Sequence, residues 1–72
     1  MEQLENFESS PDCAVESHGT IFLFRLLSEA ARRWVCDNVA GDPQYWGGAL
    51  VVEHRYAQEL AHGMSLDGLR LV

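Results

Sequence analysis

The sequence lacks lysine, holds few basic residues of any kind and contains no long apolar run. Its five cations are all arginines, against eleven acidic residues, and the formal net charge is −6. Because so few cations cannot neutralise the several phosphates of a nucleic-acid interface, we expect no direct nucleic-acid partner. No stretch approaches the roughly 18 apolar residues that cross a membrane. Residues 1–18 also lack the positive start of a secretory signal, so we expect a cytoplasmic protein with no membrane partner.

Cysteine is scarce too, and its spacing carries no metal or redox signature. Cys13 lies in an acidic segment, Cys36 lies in a predicted helix, and neither belongs to a Cys-x-x-Cys pair. In a reducing cytosol we expect no disulfide between them, and we expect Cys36 to pack in the core as a small apolar residue. His18, His54 and His62 provide no close ligand pair. The sequence therefore predicts no metal and no other cofactor.

The acidic residues are concentrated at the N-terminus. Residues 1–18 hold five acids and no basic residue, whereas residues 19–72 hold six acids and all five arginines. Together with its scattered apolar groups, this composition predicts an acidic, flexible segment over residues 1–18. Residues 19–72 are then long enough for a single compact domain.

Within that domain the pattern of apolar residues predicts the order β-α-β-α-β. Residues 19–24 are rich in β-formers and do not alternate, which indicates a strand buried on both faces. Ser28 is a helix N-cap candidate, and the helix that follows should end before Asp42-Pro43. The apolar face of this first helix should consist of Ala31, Trp34, Val35, Asn38 and Val39.

The second half of the domain repeats the alternation of strand and helix. Residues 49–52 form a short apolar run that predicts the second strand, and Asp67-Gly68 marks the end of the second helix. Residues 69–72 alternate weakly and predict a short third strand at an edge of the sheet. The apolar face of the second helix should consist of Ala57, Leu60, Ala61 and Met64.

Both crossovers are long enough for parallel connections, so we expect an α/β fold with a short, three-stranded, mainly parallel sheet. If the first strand is central, the two helices cover opposite faces in three layers, and we prefer this arrangement. If the second strand is central, both helices share one face in two layers. The bare face would then need a partner, most simply a second copy of the chain.

A parallel sheet would bring two polar clusters to one edge, where open α/β sheets bind ligands. Arg25, Ser28 and Arg55 are the anion-binding candidates. The favoured alternative is a structural cluster of ion pairs that orients the turn into the second helix, with Arg55 also paired to Glu59. No nucleophile elbow, catalytic triad or phosphate loop is present, so we expect no enzyme.

Two adjacent aromatics beside glycines, Tyr45 and Trp46, indicate either a binding surface or, as the preferred interpretation, a lid over one end of the core. Combined with the polar turn after the second strand, they make up the predicted partner-binding residues: Tyr45, Trp46, Glu53, His54, Arg55 and Tyr56.

Several short motifs resemble a family of small uncharacterised bacterial proteins found in proteobacterial genomes and mobile elements. They are GTI at residues 19–21, Ala30-Ala31 with Trp34, GALVVEHRY at residues 48–56, GM at 63–64 and DGL at 67–69. The resemblance covers about three-quarters of the chain and implies no activity, cofactor or catalytic residue.

The leading hypothesis is a non-enzymatic, acidic module that binds another protein. Size and context favour an inhibitor or accessory factor of a phage or mobile element, a class that includes anti-CRISPR proteins. One alternative is a small-molecule or anion binder at the C-terminal edge of the strands. The other alternative is a homodimer with a structural or regulatory role.

Overall fold

Four strands and two helices make up residues 10–72, the part of the chain that the computed structural model describes. In chain order they are β1 (Cys13–His18), β2 (Ile21–Leu26), α1 (Glu29–Asn38), β3 (Tyr45–Trp46), β4 (Ala49–Glu53) and α2 (His54–Leu66). The predicted strands and helices of residues 19–66 therefore exist close to their expected positions. The fold is α/β, but its sheet differs from the expected one.

The sheet has the strand order β1-β2-β4-β3, and every neighbouring pair of strands is antiparallel. The prediction of a three-stranded, mainly parallel sheet is therefore wrong. The first crossover does return the chain parallel to β2, because β3 and β2 both run antiparallel to β4. However, β3 does not lie beside β2. The chain reverses after β3, and β4 occupies the position between them.

Two tight turns join neighbouring strands of the sheet, one between β3 and β4 and the other between β1 and β2. Gly47 and Gly48 connect β3 to β4 with backbone φ angles of +56° and +83°. Two successive positive φ angles suit the twist of a two-residue hairpin, and only glycine adopts them without strain. At the other end of the sheet Gly19, with φ +74°, begins the two-residue turn between β1 and β2. Both turns join antiparallel neighbours, and because β3 runs parallel to β2 before its turn, β4 is antiparallel to β2 as well.

The segment expected to be flexible supplies a strand. Cys13–His18 forms β1 and pairs along its whole length with β2, from Cys13 opposite Leu26 to His18 opposite Ile21. The prediction of a flexible segment over residues 1–18 is wrong for these residues, and its first nine residues lie outside the described part of the chain. Glu16 and His18 belong to the face of the sheet opposite the core, so their polarity is compatible with a strand.

Both helices pack on one face of the sheet. Phe24 of β2 opposes Leu50 of β4, and opposed residues share a face. These two side chains form one buried cluster with Val35 of α1 and with Ala57 and Met64 of α2. β2 is an interior strand, as expected, but the prediction of helices on opposite faces is wrong. Within residues 10–72 the sheet and these two helices form two layers, although Leu23 and Ala49 on the opposite face of the sheet are also buried.

Helix α1 begins at the predicted cap. The Ser28 hydroxyl accepts a hydrogen bond from the Ala31 N–H at 3.0 Å, which satisfies one of the free donors of the first turn. Ala31 and Val35 are fully buried, and Trp34 is half-buried against the core. Asn38 was expected on this face but is exposed, and its amide donates to the Trp34 carbonyl instead.

Helix α2 ends in a Schellman motif at the predicted turn. The Leu69 N–H donates to the Met64 carbonyl and the Gly68 N–H to the Ser65 carbonyl, both at 3.0 Å. Gly68 has φ +92°, the left-handed conformation that this cap requires. Within residues 10–72, α2 is the longest helix at 13 residues, and no helix is long and apolar enough to cross a membrane.

Trp34 also connects the two helices. Its indole N–H donates to an Asp67 carboxylate oxygen at 2.6 Å, beyond the end of α2. Its six-membered ring lies beside Gly63, where an added Cβ would be 3.4 Å from the ring. An alanine at this position would therefore be in ordinary van der Waals contact with the indole, which shows how closely Trp34 packs against α2. The prediction that Trp34 packs as part of the core is confirmed, with a polar contact at its edge.

The C-terminal residues lie beside β1. Leu71 forms a single parallel β-bridge with Cys13, and the Val15 N–H donates to the Val72 carbonyl at 2.9 Å. The predicted third strand is at an edge, as expected, but it is reduced to this one bridge. Its backbone covers the outer edge of β1, which would otherwise expose unpaired groups.

Asp12 joins this C-terminal segment to the start of α1. One carboxylate oxygen accepts a hydrogen bond from the Ser28 hydroxyl at 2.6 Å, and the other accepts from the Arg70 N–H at 2.9 Å. The Asp12 carbonyl also accepts from the Leu27 N–H at 2.8 Å. We call these contacts the Asp12 junction. The hydrogen bond from Ser28, followed by that from Arg70, lowers the pKa of Asp12 below its ordinary value of 3.8.

Replacement of Asp12 by asparagine should destabilise the fold by about 1 kcal/mol at neutral pH, because the amide cannot accept both hydrogen bonds as a charged group does. The lowered pKa means that the stabilisation is complete above the unfolded pKa and is lost as the pH falls through the folded pKa. Urea unfolding at several pH values should therefore show the largest difference from the wild type at neutral pH and little difference in acid.

The matched control is Asp42→Asn, which removes the same charge from an exposed loop residue. Identical unfolding free energies for the two variants across the whole pH range would show that the Asp12 junction contributes nothing specific.

Candidate functional site

An open groove lies between strand β4, helix α2 and the end of helix α1. Its volume is about 740 Å³ and most of its surface is apolar. Strand β4 contributes four consecutive residues, 50–53. Successive side chains of a strand point to opposite faces, so a groove that touches all four must lie along the edge of β4. We call this site the β4-edge groove.

The short length of β3 leaves this edge accessible. Within residues 10–72 the strand pairing at this edge is limited to Tyr45 and Trp46 of β3, opposite Leu50 and Ala49. One further hydrogen bond, from the Val51 N–H to the Gln44 carbonyl at 2.8 Å, extends the contact. The groove runs beside the rest of β4. The walls of the groove are formed by side chains of α1, of the residue that follows α1, and of α2. These walls include Trp34, Val39, Tyr56, Glu59 and Leu60.

Three of the predicted partner-binding residues line this groove. Glu53 ends β4, and Arg55 and Tyr56 belong to the first turn of α2. The Arg55 Nε lies 3.3 Å from a Glu53 carboxylate oxygen, and its guanidinium lies 5.0 Å from the centre of the Tyr56 ring. Of the predicted ion-pair cluster at the turn into α2, the pair of Arg55 with Glu53 is present. The additional pair of Arg55 with Glu59 is not among the ion pairs of residues 10–72.

None of the other three partner-binding candidates lines the groove. Tyr45 lies on the groove side of the sheet, whereas Trp46 opposes Ala49 and lies on the other side. Tyr45 and Trp46 in β3 remain 51% and 62% exposed, so neither covers the core as a lid would. Tyr45 opposes Leu50 and therefore shares the face of the sheet that carries the groove floor. His54 packs its ring against Phe22, with 5.8 Å between ring centres, and does not line the groove.

The anion-binding candidates do not come together. Arg25 opposes Ala49 at one end of β4, whereas Glu53 opposes Ile21 at the other end. Arg25 and Ser28 therefore lie at the opposite end of the sheet from Arg55, and the prediction of a shared edge is wrong. Its premise was a parallel sheet, in which both strands would have ended on the same side. Ser28 is instead the α1 cap and a member of the Asp12 junction.

Arg25 is engaged on the outer face of the sheet. Its Nε donates to a Glu16 carboxylate oxygen at 2.8 Å, and the His18 Nε2 lies 3.1 Å from the other oxygen. The hydrogen bond from Arg25, then that from His18, lowers the pKa of Glu16. The same bond raises the pKa of Arg25. This exposed group resembles an ordinary cross-strand ion pair.

The burial of the two cysteines is the reverse of what the sequence suggested. Cys36 was expected in the core but is exposed, because the adjacent position, Val35, faces the sheet and successive helical residues are about 100° apart. Cys13 is fully buried in β1. Burial, with a smaller contribution from Asp12, raises the pKa of the Cys13 thiol to about 11. Across the described residues, no group of three His, Cys, Asp or Glu side chains could hold a metal ion.

Sequence reasoning missed most of the groove. Trp34 and Leu60 were assigned to helix faces, and each does contact the core while also lining the groove. A local pattern marks a residue as apolar but does not show that a neighbouring strand ends before covering it. The two glycines after Trp46 were the only available signal, since they mark a hairpin and hence a short edge strand.

Comparisons with known proteins found no match: no protein-family model, curated protein or solved structure matches the chain.

The two thiols should react very differently in the native protein. Cys36 should be alkylated readily by N-ethylmaleimide, whereas Cys13 should react only after unfolding, because it is buried and its pKa is raised. Intact-mass spectrometry should show one adduct under native conditions and two in denaturant. The variant Cys36→Ser should show none until it is unfolded. Rapid native labelling of that variant would contradict the buried position of Cys13.

Proposed function

We propose that this protein is a non-enzymatic module that binds another protein, and that the β4-edge groove is its contact surface. The observation that carries the proposal is the open apolar groove at a strand edge, with the exposed ring of Tyr56 on its wall. Tyr56 is 51% exposed, and Tyr45 of the adjacent strand, which shares the face of Leu50, is exposed to the same degree. Large aromatic residues in such positions are enriched at the centres of protein interfaces.

The shape of the site favours a macromolecular partner over a small substrate. Small-molecule sites enclose most of the ligand surface and present convergent polar groups. The β4-edge groove is open along its length, and its polar groups, Glu53, Arg55 and Glu59, are all exposed side chains at the rim. This arrangement suits a surface contact with another chain.

The resemblance to small proteins of mobile elements, together with the net charge of −6, extends the proposal. A small acidic binder of that origin would act as an inhibitor or an accessory factor, and an anti-CRISPR-like role belongs to this class. Acidity favours rapid association with a basic surface on the partner.

The test is affinity capture from the source cells with the tagged protein, its Tyr56→Ala variant and the matched control Leu66→Ala. Tyr56 and Leu66 are both exposed residues of α2, and only Tyr56 lines the groove. A partner captured equally by the wild type and by Leu66→Ala, and at least about tenfold less by Tyr56→Ala, is expected. The purified partner should then reproduce this ranking in direct binding.

A partner that binds Tyr56→Ala as strongly as the wild type would overturn the assignment of the groove. Failure of every variant, wild type included, to bind any protein would overturn the proposed function itself.

A homodimer is the second candidate, and the two-layer arrangement favours it. Both described helices cover the same face of the sheet; on the other face Ile21 and Val51 remain partly exposed, although Leu23 is only 6% exposed. A second copy could pack against that face. Sedimentation equilibrium over a hundredfold range of concentration should then show a dimer mass, and a monomer mass throughout would exclude this candidate.

A further inference from the structure

We infer that the occupant of the β4-edge groove is an extended segment of a protein that carries large apolar side chains flanked by arginine or lysine. The inference rests on the proposed function and specifies the chemistry of the partner. Four features of the groove support it: its strand edge, its apolar floor, its unpaired carboxylate and its exposed aromatic ring.

The strand edge favours an extended backbone. The His54 N–H donates to the Thr20 carbonyl on the β2 side, whereas the Val51 N–H donates to the Gln44 carbonyl on the β3 side. Backbone groups alternate in direction along a strand, so the Glu53 N–H points to the same side as that of Val51. Strand β3 has no residue opposite Glu53. The Glu53 amide therefore faces the groove, where a carbonyl of an extended chain can accept its hydrogen bond.

The floor favours apolar side chains on that segment. Leu50 and Val52 of β4 form the base of the floor and are almost completely buried. The apolar surface still open to solvent is therefore that of the partly buried side chains around them, Trp34, Val39 and Leu60. The alternating side chains of an extended segment would place every second residue towards this floor. Insertion of such a side chain would remove apolar surface from water on both partners, which is the main driving force for association.

The charge of the rim favours basic flanking residues. Glu53 already pairs with Arg55, whereas Glu59 on the same wall belongs to none of the ion pairs of residues 10–72. The whole chain carries an excess of six negative charges. A cationic side chain beside Glu59 would gain an ion pair, and an acidic one would meet repulsion from both the rim and the chain.

The exposed aromatic ring points to the same partner chemistry. The Arg55 guanidinium lies 5.0 Å from the centre of the Tyr56 ring, so this ring already accepts a cation over its face. Tyr56 is half-exposed and lines the groove together with Glu59, which lies three residues further along α2. An arginine or lysine of the bound segment can contact the ring and the Glu59 carboxylate together.

Fluorescence anisotropy with three labelled peptides tests the inference on the full chain. The first alternates arginine with leucine and valine, the second has glutamate in place of arginine, and the third has serine in place of leucine and valine. We expect the first to bind at least about tenfold more tightly than either of the others. On binding, hydrogen exchange at the Glu53 amide should slow.

Two variants with the same change in net charge separate a specific contact from general attraction. Glu59→Gln removes the rim carboxylate, whereas Gln58→Lys adds one positive charge at a neighbouring exposed residue that does not line the groove. Glu59→Gln should weaken binding of the first peptide by about fivefold, and Gln58→Lys should weaken it by less than about twofold.

Equal binding of the arginine and glutamate peptides, or equal losses in the two variants, would overturn the inference. Tighter binding of the serine peptide, or an unchanged Glu53 amide, would overturn it as well. None of these results would affect a protein partner whose capture depends on Tyr56, so the inference can fail while the proposed function stands. Loss of that Tyr56 dependence would remove both.

Discussion

The antiparallel pairing of β2 with β4 is the constraint on which the rest of the molecule depends. It brings Phe24 against Leu50 and Phe22 against Val52, and so creates the apolar face that both helices cover. The core cluster on this face contains most of the buried apolar residues of the described part of the chain. β1 and the C-terminal residues extend the sheet on one side, and the Asp12 junction joins them to the start of α1.

The same pairing determines where a partner can bind. Because β4 is reached through a tight turn from β3, its outer neighbour is a strand of only two residues. The edge of β4 therefore continues beyond its partner, and the walls of α1 and α2 turn that edge into a groove. Natural proteins usually cover or shorten free strand edges. At the other side of the sheet the C-terminal residues cover the edge of β1. One edge of the sheet is therefore covered, whereas part of the β4 edge stays open.

Local patterns predicted the helices well, because each helix is defined by contacts within a few residues. The Ser28 cap and the turn at Asp67-Gly68 were confirmed. Gly19-Thr20 and Gly47-Gly48 occupy the two hairpin turns, whereas the crossover lengths alone are compatible with a parallel sheet. Strand β1 was missed because Glu16 and His18, which face away from the core, resemble a solvated segment. Predicted site residues from one local stretch, Glu53, Arg55 and Tyr56, stayed together, whereas Arg25 and Arg55 were separated by strand direction.

The sequence by itself determined where the helices begin and end, which residues of each helix are apolar and that the chain is acidic. These properties follow from side-chain chemistry and from periodicity along the chain. Only the tertiary structure decided the direction of the strands, the shared face of the two helices, the burial of Cys13 in place of Cys36 and the existence of the groove. Each of these depends on which distant segments lie side by side. That choice is made by the summed packing of the whole core, which no short stretch of sequence contains.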